Sequence, residues 1–183
     1  MNTKNTVWGL IAVFVLLVAL AYGFYKKTPP QDAITQTIAS FEDCAKVYPV
    51  MESYPAECKT EDGKTFTQDV GNELSKLDLV TIDSPRPNAG IASPLHISGK
   101  ARGSWYFEAS FPVELQDTKG RVIAQGAAKA QSDWMTNNFV SYQLDLTYPT
   151  QPKGSKGTLL LKKDNPSGDP AKDDSLIVPV VFN

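Results

Sequence analysis

The sequence predicts a mainly β protein, in which seven short strands form a sandwich behind an N-terminal membrane-spanning helix. From about Leu79 to the C-terminus, apolar and polar residues alternate with a period of two. In a strand this alternation places one set of side chains on a buried face and the other set in water. At the N-terminus, Val7–Tyr25 is a run of 19 residues without a charge.

The alternation is clearest in two segments, Trp105–Leu115 and Val140–Tyr148. Five shorter runs follow the same rule: Leu79–Asp83, Pro94–Gly99, Arg121–Gln125, Gly157–Lys163 and Leu176–Phe182. Turn-forming sequences such as Asp117–Gly120 and Asn165–Gly168 separate neighbouring runs. Seven short antiparallel strands in a segment of this size are typical of an immunoglobulin-like sandwich, which we expect over residues 77–183.

The uncharged run Val7–Tyr25 has the length of a membrane span. At about 1.5 Å per residue it reaches roughly 28 Å, close to the thickness of the hydrocarbon core. Lys26 and Lys27 follow it directly. We therefore expect residues 1–27 to be a membrane anchor. Ala19–Ala21 also resembles a signal-peptidase site, so cleavage after Ala21 and secretion of the remainder is the alternative.

Two regions separate the anchor from the predicted sandwich. Residues 28–40 are polar and are interpreted as a linker, and residues 41–72 form a small module with the only two cysteines, Cys44 and Cys58. A unit of this size has too little core to fold without a staple, so we expect these cysteines to form a disulfide. A closed loop of about 15 residues corresponds to about 3 kcal/mol of stabilisation. A disulfide needs an oxidising compartment, which predicts that residues 28–183 lie outside the cytoplasm.

Charge and composition bound the possible functions. The net charge is −2, and residues 1–27 hold three lysines and no acid, so the remainder is acidic overall. No basic run exists to follow a phosphate backbone, which argues against nucleic-acid binding. His96 is the only histidine, and no serine lies in a recognised nucleophile motif. We therefore predict no catalytic residues, no bound metal and no cofactor.

A few residues are candidates for binding. Trp134 and Met135 lie between predicted strands, and together with Tyr106 they are the candidate ligand contacts, although packing within the protein is the better explanation of the aromatic residues. The last interstrand loop is rich in oxygen ligands of the kind that calcium prefers: Asp164, Asn165, Asp169 and Asp173. Their spacing matches no EF-hand, and turn formation is the alternative explanation.

Several short motifs carry a family resemblance. They are Ile82–Asn88, Ser93–Leu95, Ser98–Gly103, Trp105–Glu108, Asp133–Thr136 and Lys162–Gly168. With these motifs in this order, about residues 79–182 resemble the bacterial spore-germination immunoglobulin-like domain family. The resemblance implies an extracytoplasmic binding or structural module and implies no enzymatic activity.

The sequence therefore predicts a single-pass protein of the bacterial cytoplasmic membrane. Its extracytoplasmic part, residues 28–183, is expected to recognise an envelope protein, peptidoglycan or a glycan. Two alternatives stay open: a carboxylate-dependent envelope hydrolase, and a cell-surface inhibitor or sensor built on the two-cysteine module. Glu108 and Glu114 do not favour the hydrolase, because on one extended strand they would stand about 20 Å apart, beyond the roughly 5–9.5 Å of glycosidase pairs.

Overall fold

The computed structural model describes residues 37–183. The predicted anchor, its alternative cleavage site and most of the predicted linker lie outside the described residues. Within residues 37–183, no helix has the length and apolar character needed to cross a membrane.

Eleven strands and two short helices make up this part of the chain. The helices are α1 (Phe41–Ala45) and α2 (Glu73–Lys76), and single 3-10 turns lie at Gly103–Trp105 and Pro170–Lys172. The strands are β1 (Val50–Met51), β2 (Glu57–Lys59), β3 (Thr65–Thr67), β4 (Val80–Ser84), β5 (Gly90–Ile91), β6 (Leu95–Arg102), β7 (Ser110–Gln116), β8 (Val122–Ala130), β9 (Phe139–Leu146), β10 (Lys156–Lys162) and β11 (Ser175–Phe182).

The strands form two sheets, a three-stranded sheet β1-β2-β3 and an eight-stranded sheet in the order β4-β6-β9-β8-β7-β10-β11-β5. Strand β8 connects the two layers of the larger sheet. It pairs with β7 along most of its length, but with β9 only through Lys129 and Ala130. Side chains from both layers share one core, in which the rings of Phe111 on β7 and Tyr142 on β9 pack 4.9 Å apart. The mainly β, immunoglobulin-like architecture that the sequence predicted is thus observed.

Period-two burial explains why these segments are strands. Alternate residues of β7, β10 and β11 are buried, and the largest fully buried side chains include Phe111, Leu115, Leu159, Leu161 and Leu176. Burying a side chain of this size contributes about 1.5–3 kcal/mol. Each of the seven predicted strands corresponds to an observed one.

Two predicted strand boundaries were wrong by five residues each. The strand expected from Trp105 begins only at Ser110, because Gly103–Trp105 is a 3-10 turn and both Glu108 (φ 49°) and Ala109 (φ 61°) adopt left-handed backbone conformations. Trp105 is still a core residue, with 1% of its surface exposed. The strand expected over Arg121–Gln125 continues to Ala130, which is how it reaches β9.

A glycine on β6 lets a tyrosine from β9 reach β4. The hydroxyl of Tyr142 donates a hydrogen bond to the Thr81 carbonyl at 2.8 Å. A Cβ atom at Gly99 would lie 2.2 Å from that carbonyl oxygen and 2.5 Å from the tyrosine hydroxyl, so no side chain fits there. Burial raises the pKa of Tyr142 and keeps it a neutral donor.

The two-cysteine module consists of α1 and the three-stranded sheet. Ser40 caps α1 by accepting a hydrogen bond from the Asp43 amide. Cys44 and Cys58 form a disulfide with a Cα–Cα distance of 6.0 Å, and both residues are fully buried. The predicted disulfide is confirmed.

The segment after the module protects the exposed edge of β11. The Asn72 amide donates to the Ile177 carbonyl, and the Asn72 side chain both accepts from the Ile177 amide and donates to the Ser175 carbonyl. Further along the same edge, Asn88 and the short strand β5 pair with β11. An unprotected strand edge invites pairing with other chains, and these contacts remove that risk. Residues 39–183 form one compact unit.

Candidate functional site

Three loops converge at one end of the sandwich, which we call the loop end. They are residues 103–109, 131–138 and 163–174, and each connects two strands that are consecutive in the sequence. The strand register brings them together, since Arg102 pairs with Phe139, Ser110 with Lys129, and Lys162 with Ser175. Loops at one end of a rigid sandwich are the usual position for recognition residues.

The opposite end of the sandwich, which we call the base, contacts α1 of the two-cysteine module. Lys156 at the start of β10 lies at the base, and its ammonium group forms an ion pair with Glu42 on α1 at 2.7 Å. Lys156 also lowers the pKa of the Glu42 carboxyl. Helix α1 therefore packs at the end of the sandwich away from the three loops.

The loop formed by residues 131–138 rests directly on Gly103. A Cβ atom at Gly103 would lie 1.9 Å from the Thr136 carbonyl oxygen and 2.3 Å from that of Trp134. The Gly103 amide also donates to the Asn138 carbonyl at 3.3 Å. Only glycine allows two backbones to approach so closely. Gly103, directly after β6, therefore fixes the position of the loop formed by residues 131–138.

Local hydrogen bonds hold this loop in one conformation. Asp133 accepts a bond from the Met135 amide at 3.0 Å, and the Thr136 hydroxyl accepts one from the Asn138 amide at 3.2 Å. The Arg102 guanidinium donates to the Asn137 carbonyl at 3.0 Å. A loop held in this way loses little conformational entropy when it binds a partner.

Two of the three predicted contact residues lie at this surface. Trp134 is half-buried and packs against the core, whereas 76% of the Met135 surface is exposed. Both line a shallow depression of about 310 Å³, together with Ser104, Thr136 and Asn137.

Tyr106, the third predicted contact, is part of the core. Only 4% of its surface is exposed, its ring packs 5.2 Å from that of Phe111, and its hydroxyl donates to the Val140 carbonyl at 2.8 Å. Burial raises the pKa of Tyr106. The prediction failed because the 3-10 turn before Tyr106 changes the phase of the alternation that had pointed this side chain toward water.

The polar residues of the loop formed by residues 163–174 bond to one another. Asn165 donates through its side-chain amide to the Asp169 carbonyl at 2.8 Å and to an Asp173 carboxylate oxygen at 2.7 Å. Asp169 caps the following 3-10 turn by accepting from the Ala171 amide, and the Asp164 amide donates to the Trp105 carbonyl. Among residues 37–183, no group of three or more His, Cys, Asp or Glu side chains is arranged to hold a metal ion. The geometry therefore gives the calcium hypothesis no support.

Of the other titratable groups singled out in the sequence, only Glu108 lies in a loop of this end. His96 is exposed on the outer face of β6, where its Nδ1 atom lies 2.8 Å from an Asp145 carboxylate oxygen. Glu114 on β7 accepts a hydrogen bond from Lys162 at 3.0 Å, and Glu108 precedes the strand. The sequence had suggested that the two glutamates share one face of one strand, and the structure shows that they do not.

Sequence reasoning missed a larger depression of about 460 Å³ on the outer face of β7 and β8. Its lining includes Pro112, Glu114, Gln125, Ala127 and Asp164. It depends on the pairing of Glu114 with Gln125, a register that the sequence alone does not specify.

Residues 79–169 match the family model described as the immunoglobulin-like domain of bacterial spore germination. No curated protein and no solved structure matches the chain. The match begins just before β4 and ends in the loop between β10 and β11, so it covers the three loops of the loop end almost completely. Residues 79–169 therefore belong to the family of immunoglobulin-like domains of bacterial spore germination, the family that the sequence motifs resemble.

Proposed function

We propose that this chain is an extracytoplasmic binding module of the bacterial cell envelope, held at the cytoplasmic membrane by Val7–Tyr25. Its loop end recognises an envelope protein, peptidoglycan or a glycan. The observation that carries the proposal is the convergence of three loops at one end of the sandwich, where the loop of residues 131–138 rests on Gly103 and presents Met135 largely to solvent. A rigid surface with an exposed apolar side chain is suited to binding.

The disulfide supports the proposed compartment. Cys44 and Cys58 are both fully buried, and they join α1 to β2 within a module that has few other core residues. A structural disulfide persists in an oxidising compartment, such as the space outside the cytoplasm.

Binding is better supported than the two alternatives. Glu114 is paired with Lys162, and Glu108 has a separate position before β7, so no observation favours a carboxylate-dependent hydrolase. The two-cysteine module packs as part of the unit formed by residues 39–183, and no observation favours a separate inhibitor or sensor role for it.

Sedimentation with washed envelopes tests the proposal. Oxidised protein comprising residues 28–183 is compared with a loop-end variant (Ser104→Arg with Asn137→Arg) and a base variant (Thr118→Arg with Thr150→Arg). All four positions are exposed, so both variants should keep the wild-type thermal stability. We expect the loop-end variant to bind at least tenfold more weakly and the base variant to stay within twofold of wild type. Equal binding by all three proteins would rule out the loop end as the recognition surface.

A further inference from the structure

Several exposed large apolar side chains lie at the loop end. Among the described residues of the sandwich and α2, five such side chains lie at or beside this end, namely Leu74, Leu77, Leu79, Phe107 and Met135. The other two are Ile177 on β11 and Val122 at the base, and a separate set of four lies on the two-cysteine module. Clusters of exposed apolar side chains mark interaction sites more often than isolated ones do.

Arg102 joins the two segments that carry three of these residues. Its Nε atom donates to the Asp78 carbonyl at 2.9 Å, and its Nη1 atom donates to the Asn137 carbonyl at 3.0 Å. The guanidinium also lies 4.3 Å from the centre of the Phe139 ring. The segment that carries Leu77 and Leu79 and the loop that carries Met135 are therefore fixed on either side of one side chain. We call Leu77, Leu79 and Met135, with Arg102 between them, the arginine-centred patch.

The composition of the patch distinguishes a protein partner from a glycan. Glycan sites usually present the open face of an aromatic ring, but the arginine-centred patch contains no aromatic ring. The exposed Phe107 at the loop end is not part of the patch, and Trp134 beside the patch is half-buried against the core. The residue presented instead is Met135, and methionine adapts to irregular apolar surfaces of proteins. Arginine and buried apolar anchors are typical of the energetic centres of protein interfaces.

Among residues 37–183, the Nη2 group of Arg102 is not used and can donate to a partner. Its Nε and Nη1 atoms are used within the domain, while its Nη2 atom has no hydrogen-bond partner within residues 37–183. Because Arg102 is fixed by two backbone carbonyls and an aromatic ring, this donor is already oriented. A carboxylate is the group that such a donor binds most strongly.

We propose that the arginine-centred patch binds another envelope protein, one that presents an apolar recess for Met135 with a carboxylate at its rim. The inference rests on the proposed function and narrows its three partner classes to one.

Site-specific photo-crosslinking in the full-length protein, in cells that make it, tests this inference. A photo-reactive amino acid replaces Met135, and in a matched control it replaces Val122 at the base. We expect a discrete protein adduct from position 135 that is at least five times stronger than any adduct from position 122. Adding Leu79→Asp should reduce that adduct at least fivefold, as expected for loss of an interface anchor. Adding Leu77→Asp should also reduce it, whereas Val122→Asp should leave it unchanged.

Five results would overturn the inference. They are the absence of an adduct from position 135, an adduct that muramidase digestion converts to small glycan fragments, an adduct of twice the chain's mass, equal labelling from both positions, and labelling insensitive to both leucine substitutions. The second of these would leave the proposed binding function intact, because envelope sedimentation would still depend on Ser104 and Asn137. Loss of both the adduct and the loop-dependent sedimentation would remove the proposed function as well. Thermal unfolding of each variant confirms that the domain is folded in every comparison.

Discussion

The carboxylate of Glu73 accepts hydrogen bonds from both terminal nitrogens of Arg86, at 2.7 and 3.2 Å, although only 3% of its side chain is exposed. The Tyr54 hydroxyl donates to the same carboxylate and accepts from Arg86 at 3.0 Å. Glu73 begins α2, Arg86 follows β4, and Tyr54 belongs to the two-cysteine module. One buried charge therefore ties the module to the sandwich.

Replacing Arg86 with methionine should destabilise the protein by roughly 2–4 kcal/mol. The substitution leaves Glu73 buried without its cation, which is the costly way to break an ion pair, and the half-exposed position of Arg86 moderates the loss. Urea unfolding measures the change. Lys46→Met, which removes an exposed partner of Asp43, is the control and should change stability by less than about 0.5 kcal/mol. Adding Glu73→Gln to Arg86→Met should recover part of the loss, and no recovery would show that packing rather than charge is responsible.

The same cluster predicts a loss of stability in alkaline solution. Burial and the neighbouring Glu73 carboxylate raise the pKa of Tyr54 from 10.0 to about 12. A raised pKa means that the folded protein holds the phenolic proton more tightly than the unfolded chain does. The resulting stabilisation is complete below about pH 10 and is lost as the pH rises through 12. We expect Tyr54→Phe to show a shallower decline in unfolding free energy between pH 10 and 11.5, and an unchanged slope would contradict the assignment.

The alternation of apolar residues was sufficient to predict all seven principal strands, because it reflects the burial of one face of each strand. It failed at Tyr106, where apolar residues continue through a 3-10 turn that has no period of two. It also gave no indication of the Arg86–Glu73 pair, since those residues are 13 positions apart and only the tertiary fold brings them together. Strand β5 was not predicted because a strand of two residues is too short to show an alternation of apolar and polar side chains.

The candidate surface was predicted only in part for a related reason. Trp134 and Met135 lie between strands, so their position outside the sheet was readable from the sequence. The contribution of Leu77, Leu79 and Arg102 to the surface could not be read from the sequence. It depends on two backbone carbonyls that the fold brings to the Arg102 guanidinium. Sequence pattern indicates which residues leave the core, but not which of them become neighbours.

Substituting alanine for Gly103 should displace the loop formed by residues 131–138. The added methyl group meets two backbone carbonyl oxygens, which cannot move as a flexible side chain can. Overpacking of this kind costs about 1–3 kcal/mol. Gly126→Ala is the matched control, because its nearest neighbours are the flexible side chains of Leu144 and Leu146 at 3.1–3.3 Å. Thermal unfolding and Trp134 fluorescence should both change for Gly103→Ala and change much less for the control, and identical effects would mean that the loop is not held by this contact.

Removing the disulfide should destabilise the module more than the sandwich. The bridge joins residues 14 positions apart, and its loss through Cys44→Ala with Cys58→Ala removes about 3 kcal/mol from the module. The core of the sandwich is formed by other residues. Hydrogen exchange should therefore show faster exchange at amides of α1 and β2 while β6 and β9 stay protected. Mass spectrometry of the wild-type protein under non-reducing conditions should show it two hydrogens lighter than the reduced form, and two free thiols would remove the main support for an extracytoplasmic location.

The last prediction concerns the N-terminal segment, because it decides whether the loop end acts at the membrane. If Val7–Tyr25 is an uncleaved anchor, the mature protein sediments with membranes and resists carbonate extraction. The length of the uncharged run and its end at Lys26 and Lys27 favour this result, since a lysine at the bilayer centre costs about 2.5–3.5 kcal/mol on insertion scales but little at the interface. N-terminal sequencing of the mature protein should then find Met1 or Asn2. A start at Tyr22 would instead mean that the chain is cleaved after Ala21 and released, and the same loop end would then act on a partner away from the membrane.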